Sequence, residues 1–162
     1  MIFVTVGSQK FQFNRLLKKI DDLISEGIIS ETVFAQTGAS DYIPQNYAYE
    51  NFLDRMEFAR KISECDKVIT HGGTGVIIGS VKKGKKVLAV PRYAKYGEHV
   101  DDHQLQLLHQ FDELGIIIAC YDLEELGDKY IDLCSAQLKP YISNTVELID
   151  SIDQYIISNI KN

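Results

Sequence analysis

Residues 68–104 of the chain read VITHGGTGVIIGSVKKGKKVLAVPRYAKYGEHVDDHQ. An apolar run ends at His71, and a glycine-rich turn then opens a segment with helical spacing of its apolar residues. A second apolar run ends at Pro91 and is followed by a long polar loop. This order predicts two neighbouring parallel strands whose following loops crowd the same edge of a sheet. The free N–H groups at the start of the intervening helix would form an anion site at that edge.

The same alternation of strand and helix patterns continues to both ends of the chain. The apolar runs that predict strands lie at 2–6, 32–36, 48–52, 67–70, 87–90 and 116–121. Helical spacing predicts helices at 13–25, 55–65, 75–83, 99–114, 123–137 and, after Pro140, about 144–160. Such alternation is typical of an α/β fold, here a Rossmann-like open parallel sheet with helices on both faces. We expect a single domain over residues 1–162, with its C-terminal helix at about 144–160.

Composition excludes several classes of protein. The 162 residues are enough for one well-formed core, and the net charge of -6 argues against nucleic acid as a partner. The 3 cysteines are odd in number and contain no Cys-x-x-Cys pair, which favours reduced thiols. No apolar run approaches the roughly 20 residues of a membrane span. We therefore expect a cytoplasmic protein that reaches a membrane only through a partner.

The turn after the first predicted strand reads Gly7-Ser8-Gln9. A glycine at this place lets the backbone approach a phosphate, and the hydroxyl of Ser8 adds a donor. A tight strand-to-helix turn without a ligand is an equally good interpretation. The turn has no G-x-G-x-x-G sequence, and no acid falls at a strand end about 20 residues later, so a dinucleotide-binding NAD enzyme is disfavoured.

The turn at residues 71–75 carries a stronger signal. Gly72, Gly73 and Gly75 would clear space around a helix N-terminus, where Thr74 can cap the helix or donate to an anion. His71, at the tip of the strand, could hold a phosphate or a sugar hydroxyl. The alternative is a glycine turn needed only for close packing of helix on strand. No Gly-Lys-Ser/Thr closes the turn, so it is not a Walker A loop.

The densest polar cluster follows the next strand. Its members are Glu98, His99, Asp101, Asp102, His103 and Gln104. On a helix His99 and His103 would share a face with the spacing of some zinc sites, but a third ligand is not evident and we expect no metal. The remaining interpretations are a solvated helix start and recognition of sugar hydroxyls. Arg92 and Lys95 precede the cluster and could meet a diphosphate, an anionic membrane partner or only solvent.

These segments together resemble the C-terminal, nucleotide-sugar-binding half of the GT-B glycosyltransferases of family 28. The resemblance covers nearly the whole chain, and its segments are FVTVGS at 3–8, HGGTG at 71–75, GKK at 84–86 with VPR at 90–92, and YGEHVDDHQ at 96–104. It is nearest to the single-domain donor subunits of split enzymes. These include the cytosolic subunit of the eukaryotic dolichol-linked UDP-N-acetylglucosamine transferase and bacterial capsule and exopolysaccharide subunits. The last segment looks most like the bacterial polysaccharide branch.

The resemblance implies roles for the residues named above. The first turn and the turn at 72–75 would cradle the diphosphate of a UDP-sugar, with His71 stabilising the leaving group. The residues that it places around the donor are Gly7, Ser8, Gln9, Gly72, Gly73, Thr74, Gly75, Arg92, Glu98, His103 and Gln104. The last two match a pair that contacts donor-sugar hydroxyls. Many relatives bind the ribose with a glutamate early in the helix; here that position is Gly79, and Glu98 is the candidate replacement.

The implied function is that of a donor-binding catalytic subunit of a two-component inverting glycosyltransferase. Such an enzyme moves a hexose from a UDP-sugar to a lipid-linked saccharide acceptor in polysaccharide biosynthesis, without a metal cofactor. A membrane-anchored acceptor-binding subunit would hold the chain at the cytoplasmic membrane face. The alternative is a non-catalytic nucleotide-sugar-binding or regulatory subunit. The sequence leaves open which hexose is donated, which sugar accepts it, and which group is the base.

Overall fold

The computed structural model describes residues 1–142, so the helix predicted at about 144–160 lies outside the described residues. Six strands form one sheet in which every neighbouring pair is parallel. They are β1 (Ile2–Thr5), β2 (Val33–Gln36), β3 (Ala48–Glu50), β4 (Lys67–His71), β5 (Lys86–Val90) and β6 (Ile118–Ala119). Their order across the sheet is β3-β2-β1-β4-β5-β6. The predicted Rossmann-like sheet is therefore confirmed.

Within residues 1–142, five α-helices connect or follow the strands. They are α1 (Asn14–Ser25), α2 (Arg55–Glu64), α3 (Thr74–Val81), α4 (His103–Glu113) and α5 (Leu126–Ser135). Strand β1 lies in the middle, where Val4 pairs with Ala35 of β2 on one side and with Ile69 of β4 on the other. The order of connection reverses between β1 and β4. A reversal of this kind opens a crevice beyond the carboxyl ends of the strands, and this is where such folds bind ligands. None of the helices in residues 1–142 is both long and apolar enough to cross a membrane.

Apolar side chains cover both faces of the central strands. Along β1, Ile2 and Val4 are buried in the cluster that includes α1 and α5, whereas Phe3 is buried in the cluster that includes α2, α3 and α4. Side chains of a strand point alternately to its two faces, so one strand feeds both layers. This two-sided burial explains why the strands read as continuous apolar runs in the sequence.

The polar loop after β5 differs from its predicted form. The sequence pattern placed a helix at 99–114, but α4 begins at His103. The chain first makes a short 3₁₀ turn at Ala94–Tyr96, and Gly97 then takes a left-handed conformation with φ of 68°. A carboxylate oxygen of Asp102 accepts the N–H of Ala94 at 2.8 Å and closes the loop. His99 therefore lies outside the helix and does not share a helix face with His103.

The segment from 116 to 137 also differs from its predicted form. The strand predicted at 116–121 is reduced to the two residues of β6. The helix predicted at 123–137 is divided into a 3₁₀ turn at Leu123–Glu125 and α5. Asp122 caps the 3₁₀ turn by accepting the N–H of Glu124 at 3.0 Å.

At the end of the sheet where the strands begin, two lysines of the GKK segment donate hydrogen bonds to the C-terminal ends of helices. The ammonium group of Lys85 donates to the carbonyls of Ser63 at 2.8 Å and Cys65 at 2.6 Å, just beyond or within the end of α2. Lys86 donates to the carbonyls of Leu133 at 3.2 Å and Cys134 at 2.8 Å in the last turn of α5. Cations at these carbonyls complement the negative end of the helix dipole. The GKK segment therefore has a structural explanation, remote from the crevice.

Candidate functional site

The turns that follow β1 and β4 meet around the imidazole ring of His71. Gly7 has a φ of 80°, and a Cβ atom added to it would lie 2.7 Å from Cε1 of His71. A Cβ atom on Gly73 would come closer still, against Nε2 of the same ring. Contacts this short do not occur for real side chains, so both positions need glycine while His71 keeps its place. The ring of His71 thus lies between the two turns that the sequence proposed for a phosphate.

Gln104 joins this group from the next loop. A Cβ atom on Gly72 would lie 2.7 Å from Cβ of Gln104, so the two residues are in close contact although 32 positions separate them. The side-chain oxygen of Gln104 accepts the backbone N–H of Arg92 at 3.2 Å. Gly75 differs, because no neighbouring atom of the described part of the chain lies within 4 Å of the place where its Cβ would be. Two of the three glycines in this turn therefore serve close packing, and the third borders open space.

Helix α3 presents its N-terminus to this edge. Gly73 is the N-cap residue and no side chain caps it. The first backbone bond of the helix joins the N–H of Ile77 to the carbonyl of Gly73 at 3.2 Å. The N–H groups of the three residues before Ile77 have no such bond within the helix, and Thr74 and Gly75 are exposed. N–H groups at the positive end of a helix dipole bind anions such as phosphate.

His71 is neutral at physiological pH. Desolvation by the surrounding protein and, to a smaller extent, the neighbouring charge of Arg92 together lower the pKa of its imidazole from 6.5 to about 4. Its Nδ1 lies 3.3 Å from the hydroxyl oxygen of Thr70. A neutral imidazole can donate one hydrogen bond and accept another, but it does not neutralise an anion.

Arg92 supplies a fixed positive charge below the turns. Its side chain is 1% exposed, and its guanidinium donates to the backbone carbonyls of Val6 and Glu98. Its Nε has no hydrogen-bond partner among the described residues. Burial lowers the pKa of the guanidinium to about 10, so the group stays charged at neutral pH. A buried cation whose direct partners are neutral carbonyls attracts an anion placed above the same turn.

The carboxylate of Glu98 is already engaged. Arg15 donates to its two oxygens, from Nε at 2.6 Å and from Nη2 at 3.0 Å. The N–H of Tyr93 donates to it as well, at 3.0 Å, and the residue is 1% exposed. Glu98 therefore fixes the loop that carries Arg92 and Gln104. This occupancy does not favour the ribose-binding role predicted for Glu98 from the sequence. No pattern in the sequence indicates its partner Arg15.

The remaining candidates lie around the same crevice. Ser8 and Gln9 are exposed in the turn after β1, and His103 is the first residue of α4. His99 lies before that helix, so the zinc-like spacing of the two histidines is not realised. In the part of the chain that the structure describes, no group of three or more His, Cys, Asp or Glu side chains is placed to hold a metal ion.

A cavity that was not predicted from the sequence lies beside the first turn. It has a volume of about 250 Å³, begins at Gly7 and Ser8, and extends to Phe52, Leu53 and Arg55. Phe52 is 55% exposed. Residues 52–55 read Phe-Leu-Asp-Arg, in which Asp54 caps α2, and no residue type or spacing there indicates a binding site from the sequence alone. The crevice therefore continues in two directions, toward Gln104 and toward Phe52.

Comparison with known proteins bears on what this crevice holds. The model of the glycosyltransferase family 28 C-terminal domain matches residues 1–156. Human UDP-N-acetylglucosamine transferase subunit ALG13 is 27% identical over 135 residues, which is 74% of this chain and 11% of the human protein. The subunit of the same name from Candida glabrata is 28% identical over 126 residues, 75% of this chain and 54% of that protein. The chain thus spans about half of the yeast relative and about a tenth of the human one.

Solved structures with the same fold include glycosyltransferases of other kinds. The NMR solution structure of ALG13 superposes with a TM-score of 0.59 at 20% identity, covering 88% of this chain and 89% of that one. MurG from Acinetobacter baumannii gives 0.58 at 18% identity, covering 82% and 41%. The glycosyltransferase SnogD from Streptomyces nogalater gives 0.59 at 20% identity, covering 83% and 34%. The family model spans all but the last residues of the sequence, and the chain accordingly belongs to the glycosyltransferase family 28 C-terminal domain family.

Proposed function

We propose that the chain is the donor-binding subunit of a split glycosyltransferase and that it binds a UDP-sugar at the crevice between β1 and β4. The observation that carries the proposal is the convergence of the two glycine turns, the uncapped start of α3 and the buried charge of Arg92 at one edge. These groups suit a diphosphate. Because the matched curated relatives are named for UDP-N-acetylglucosamine transfer, that nucleotide sugar is the first donor to test among the UDP-hexoses.

The two extensions of the crevice give the bound donor a direction. With the diphosphate at the start of α3, the sugar lies toward Gln104, and the nucleoside lies toward the cavity at Phe52 and Leu53. The amide of Gln104 already accepts the N–H of Arg92, which leaves its NH₂ group to donate to a sugar hydroxyl.

The proposed reaction breaks the bond between C1 of the sugar and the β-phosphate oxygen. An acceptor hydroxyl oxygen forms the new bond to C1, its proton passes to a base, and UDP leaves with one more negative charge. The N–H groups of α3 and the charge of Arg92 stabilise that charge, and neutral His71 donates a hydrogen bond to it. In line with the family resemblance we propose inversion at C1.

The acceptor side is proposed to come from another protein. A membrane-anchored subunit would bind a lipid-linked saccharide and bring this chain to the cytoplasmic membrane face. The assignment to capsule or exopolysaccharide synthesis rests on the YGEHVDDHQ segment alone. The matched relatives are named for N-acetylglucosamine transfer, so the pathway remains a prediction.

Calorimetric titration tests the donor proposal. The purified chain is titrated with UDP, UDP-glucose, UDP-galactose, UDP-N-acetylglucosamine and NAD. Gln104→Ala should weaken one UDP-sugar about tenfold and UDP itself much less, since only the sugar meets the amide. Gln110→Ala, an exposed glutamine on the same helix, is the matched control and should leave both affinities unchanged. Equal affinity for NAD and UDP-sugars, or an equal effect of both variants, would count against the proposal.

The second candidate is a non-catalytic nucleotide-sugar-binding subunit. Its support is the ribose position, where Gly79 borders open space and Glu98 is taken up by Arg15. The test uses the complex with the partner subunit. If His71→Ala and Gln104→Ala abolish donor binding by the chain while the complex transfers sugar at the normal rate, the chain is regulatory.

A further inference from the structure

A second cavity opens at the carboxyl edge of the sheet, on the other side of the loop that Glu98 fixes. Its volume is about 740 Å³, roughly three times that of the cavity at Phe52. It lies between the start of α1, the loop at 93–98 and the turn at 121–124. The side chains that matter most in its wall are Gln12, Arg15, Tyr93, Tyr96, Asp122 and Glu124. Neither the fold nor the proposed donor site uses it.

Two tyrosines give this cavity an aromatic wall. The rings of Tyr93 and Tyr96 lie 6.1 Å apart at an angle of 83°. The guanidinium of Arg15 lies 5.1 Å from both ring centroids, and the ammonium of Lys95 lies 5.1 Å and 4.8 Å from them. Tyr96 is nevertheless 51% exposed. Amphipathic rings of this kind offer an apolar surface beside polar groups, which suits a ligand with both kinds of surface.

The wall is held in position by hydrogen bonds to three separate segments. Arg15 donates to the carbonyl of Pro91 at 2.8 Å in addition to its pair with Glu98. The hydroxyl of Tyr93 donates to the carbonyl of Tyr121 at 3.0 Å. The side-chain amide of Gln12 donates to the carbonyl of Tyr96 at 3.0 Å. A wall fixed in this way loses little freedom when a ligand binds, and such preorganisation favours affinity.

The charges around the cavity oppose an anionic ligand. Arg15 is paired with Glu98, and Lys95 is the other cation of the wall. Asp122 and Glu124 add two carboxylates, of which Glu124 pairs with Lys19 at 2.9 Å. Carboxylates accept hydrogen bonds from hydroxyls, and side-chain amides both accept from hydroxyls and donate to them. An uncharged ligand rich in hydroxyls fits them better than a nucleotide.

We propose that this cavity binds an uncharged saccharide, and that the saccharide is part of the acceptor. The acceptor assignment rests on the proposed function; the binding of a saccharide does not. The cavity and the donor crevice share one loop, because Glu98 lines the cavity and its backbone carbonyl accepts Arg92 at 3.3 Å. Arg92 in turn binds Gln104 through its N–H. A sugar beside Tyr96 is therefore one loop away from the proposed donor sugar, and this chain contributes to the acceptor site as well as the donor site.

Saturation-transfer difference NMR on the full chain tests the inference. The probes are glucose, galactose, N-acetylglucosamine, lactose and chitobiose, each with and without saturating UDP. We expect at least one to bind both in the absence and in the presence of UDP. Tyr96→Ala should weaken it about tenfold, whereas Tyr96→Phe, which keeps the ring, should retain it. Tyr49→Ala changes a tyrosine of similar accessibility on the edge strand β3 and should have no effect.

The outcomes separate this inference from the proposed function. No saccharide binding by a chain that binds UDP overturns the saccharide site and leaves the donor proposal standing. Saccharide binding that UDP abolishes, or that Tyr96→Ala leaves unchanged, places the sugar elsewhere and also overturns the inference. Saccharide binding sensitive to Tyr96→Ala in a chain that binds no UDP-sugar supports the cavity as a sugar site while the donor proposal fails.

Discussion

The charged groups at the amino ends of the strands (the amino edge) and at their carboxyl ends (the carboxyl edge) differ in how they are paired. At the amino edge, the N-terminal ammonium contacts the carboxylates of Glu31 at 3.3 Å and Asp66 at 2.8 Å, and Lys67 also pairs with Glu31. At the carboxyl edge, Arg92 is buried and its Nε has no hydrogen-bond partner among residues 1–142, and the half-buried His71 is uncharged. Polar groups left without full compensation lower stability and are kept where a ligand completes them. The charged groups at the amino edge therefore stabilise the fold, and those at the carboxyl edge belong to the proposed anion site.

The largest expected difference between the edges is their dependence on pH. The pKa of His71 is about 4 in the folded chain and 6.5 when exposed, so the unfolded chain binds the proton first as the pH falls. The contribution of His71 to the free energy of unfolding should therefore be fully present above pH 6.5. Between pH 6.5 and pH 4 the free energy of unfolding should decrease by up to about 3 kcal/mol because of this one group. The pKa of Glu31, at the other edge, is lowered from 4.5 by Lys67 and Tyr130 despite burial, so its contribution is lost at lower pH.

Urea denaturation of the wild type and of His71→Gln at intervals from pH 4 to pH 7 measures this difference. The difference between the two curves isolates the contribution of His71 to the free energy of unfolding, because the other histidines are common to both proteins. One of them, His99, contributes through its charge to the lowered pKa of His71. The variant should lose the slope that His71 adds. Parallel curves for the two proteins would mean that folding does not lower the pKa of His71.

The next largest effect is expected at the contact between Gly73 and His71. Gly73→Ala places a Cβ against Nε2 of the ring without any change in the sign of φ, and it also puts a disfavoured residue at the N-cap of α3. We expect the ring to move and UDP affinity to fall by at least about tenfold, with a loss of stability of about 1–3 kcal/mol. Calorimetry with UDP and thermal unfolding measure the two quantities. Unchanged affinity would show that this contact does not shape the binding site.

The amino edge should show the reverse pattern. Lys86→Met removes the donor to the last carbonyls of α5 while keeping the aliphatic stem. We expect a loss of about 1 kcal/mol of stability and no change in UDP affinity, because the interaction lies at the far end of the strands. The same two measurements apply. A drop in affinity equal to that of Gly73→Ala would remove the distinction between the edges.

The comparison of edges also explains what the sequence could predict. The alternation of apolar runs predicted the sheet because each central strand is covered on both faces, and the turns after β1 and β4 were found because Gly7 and Gly73 are needed where they stand. These are local signals. The pair of Arg15 with Glu98 joins residues 83 positions apart, and no periodicity encodes such a contact. The start of α4 was misplaced for the same reason, since the bond from Ala94 to Asp102 competes with helix formation.

The smallest expected effect concerns the glycine that borders open space on α3. Gly79 lies inside the helix and is exposed, and among residues 1–142 no neighbouring atom lies within 4 Å of the place of a Cβ. Gly79→Ala should therefore raise the stability by about 1 kcal/mol, since glycine costs that much relative to alanine inside a helix. UDP affinity should stay the same, because an added methyl group meets nothing on this face. Thermal unfolding and calorimetry, run beside Gly73→Ala, then compare two glycines six positions apart. If Gly79→Ala weakens UDP binding without loss of stability, the open space above Gly79 is occupied by the nucleotide, and the ribose lies along α3 although no acid stands there to bind it.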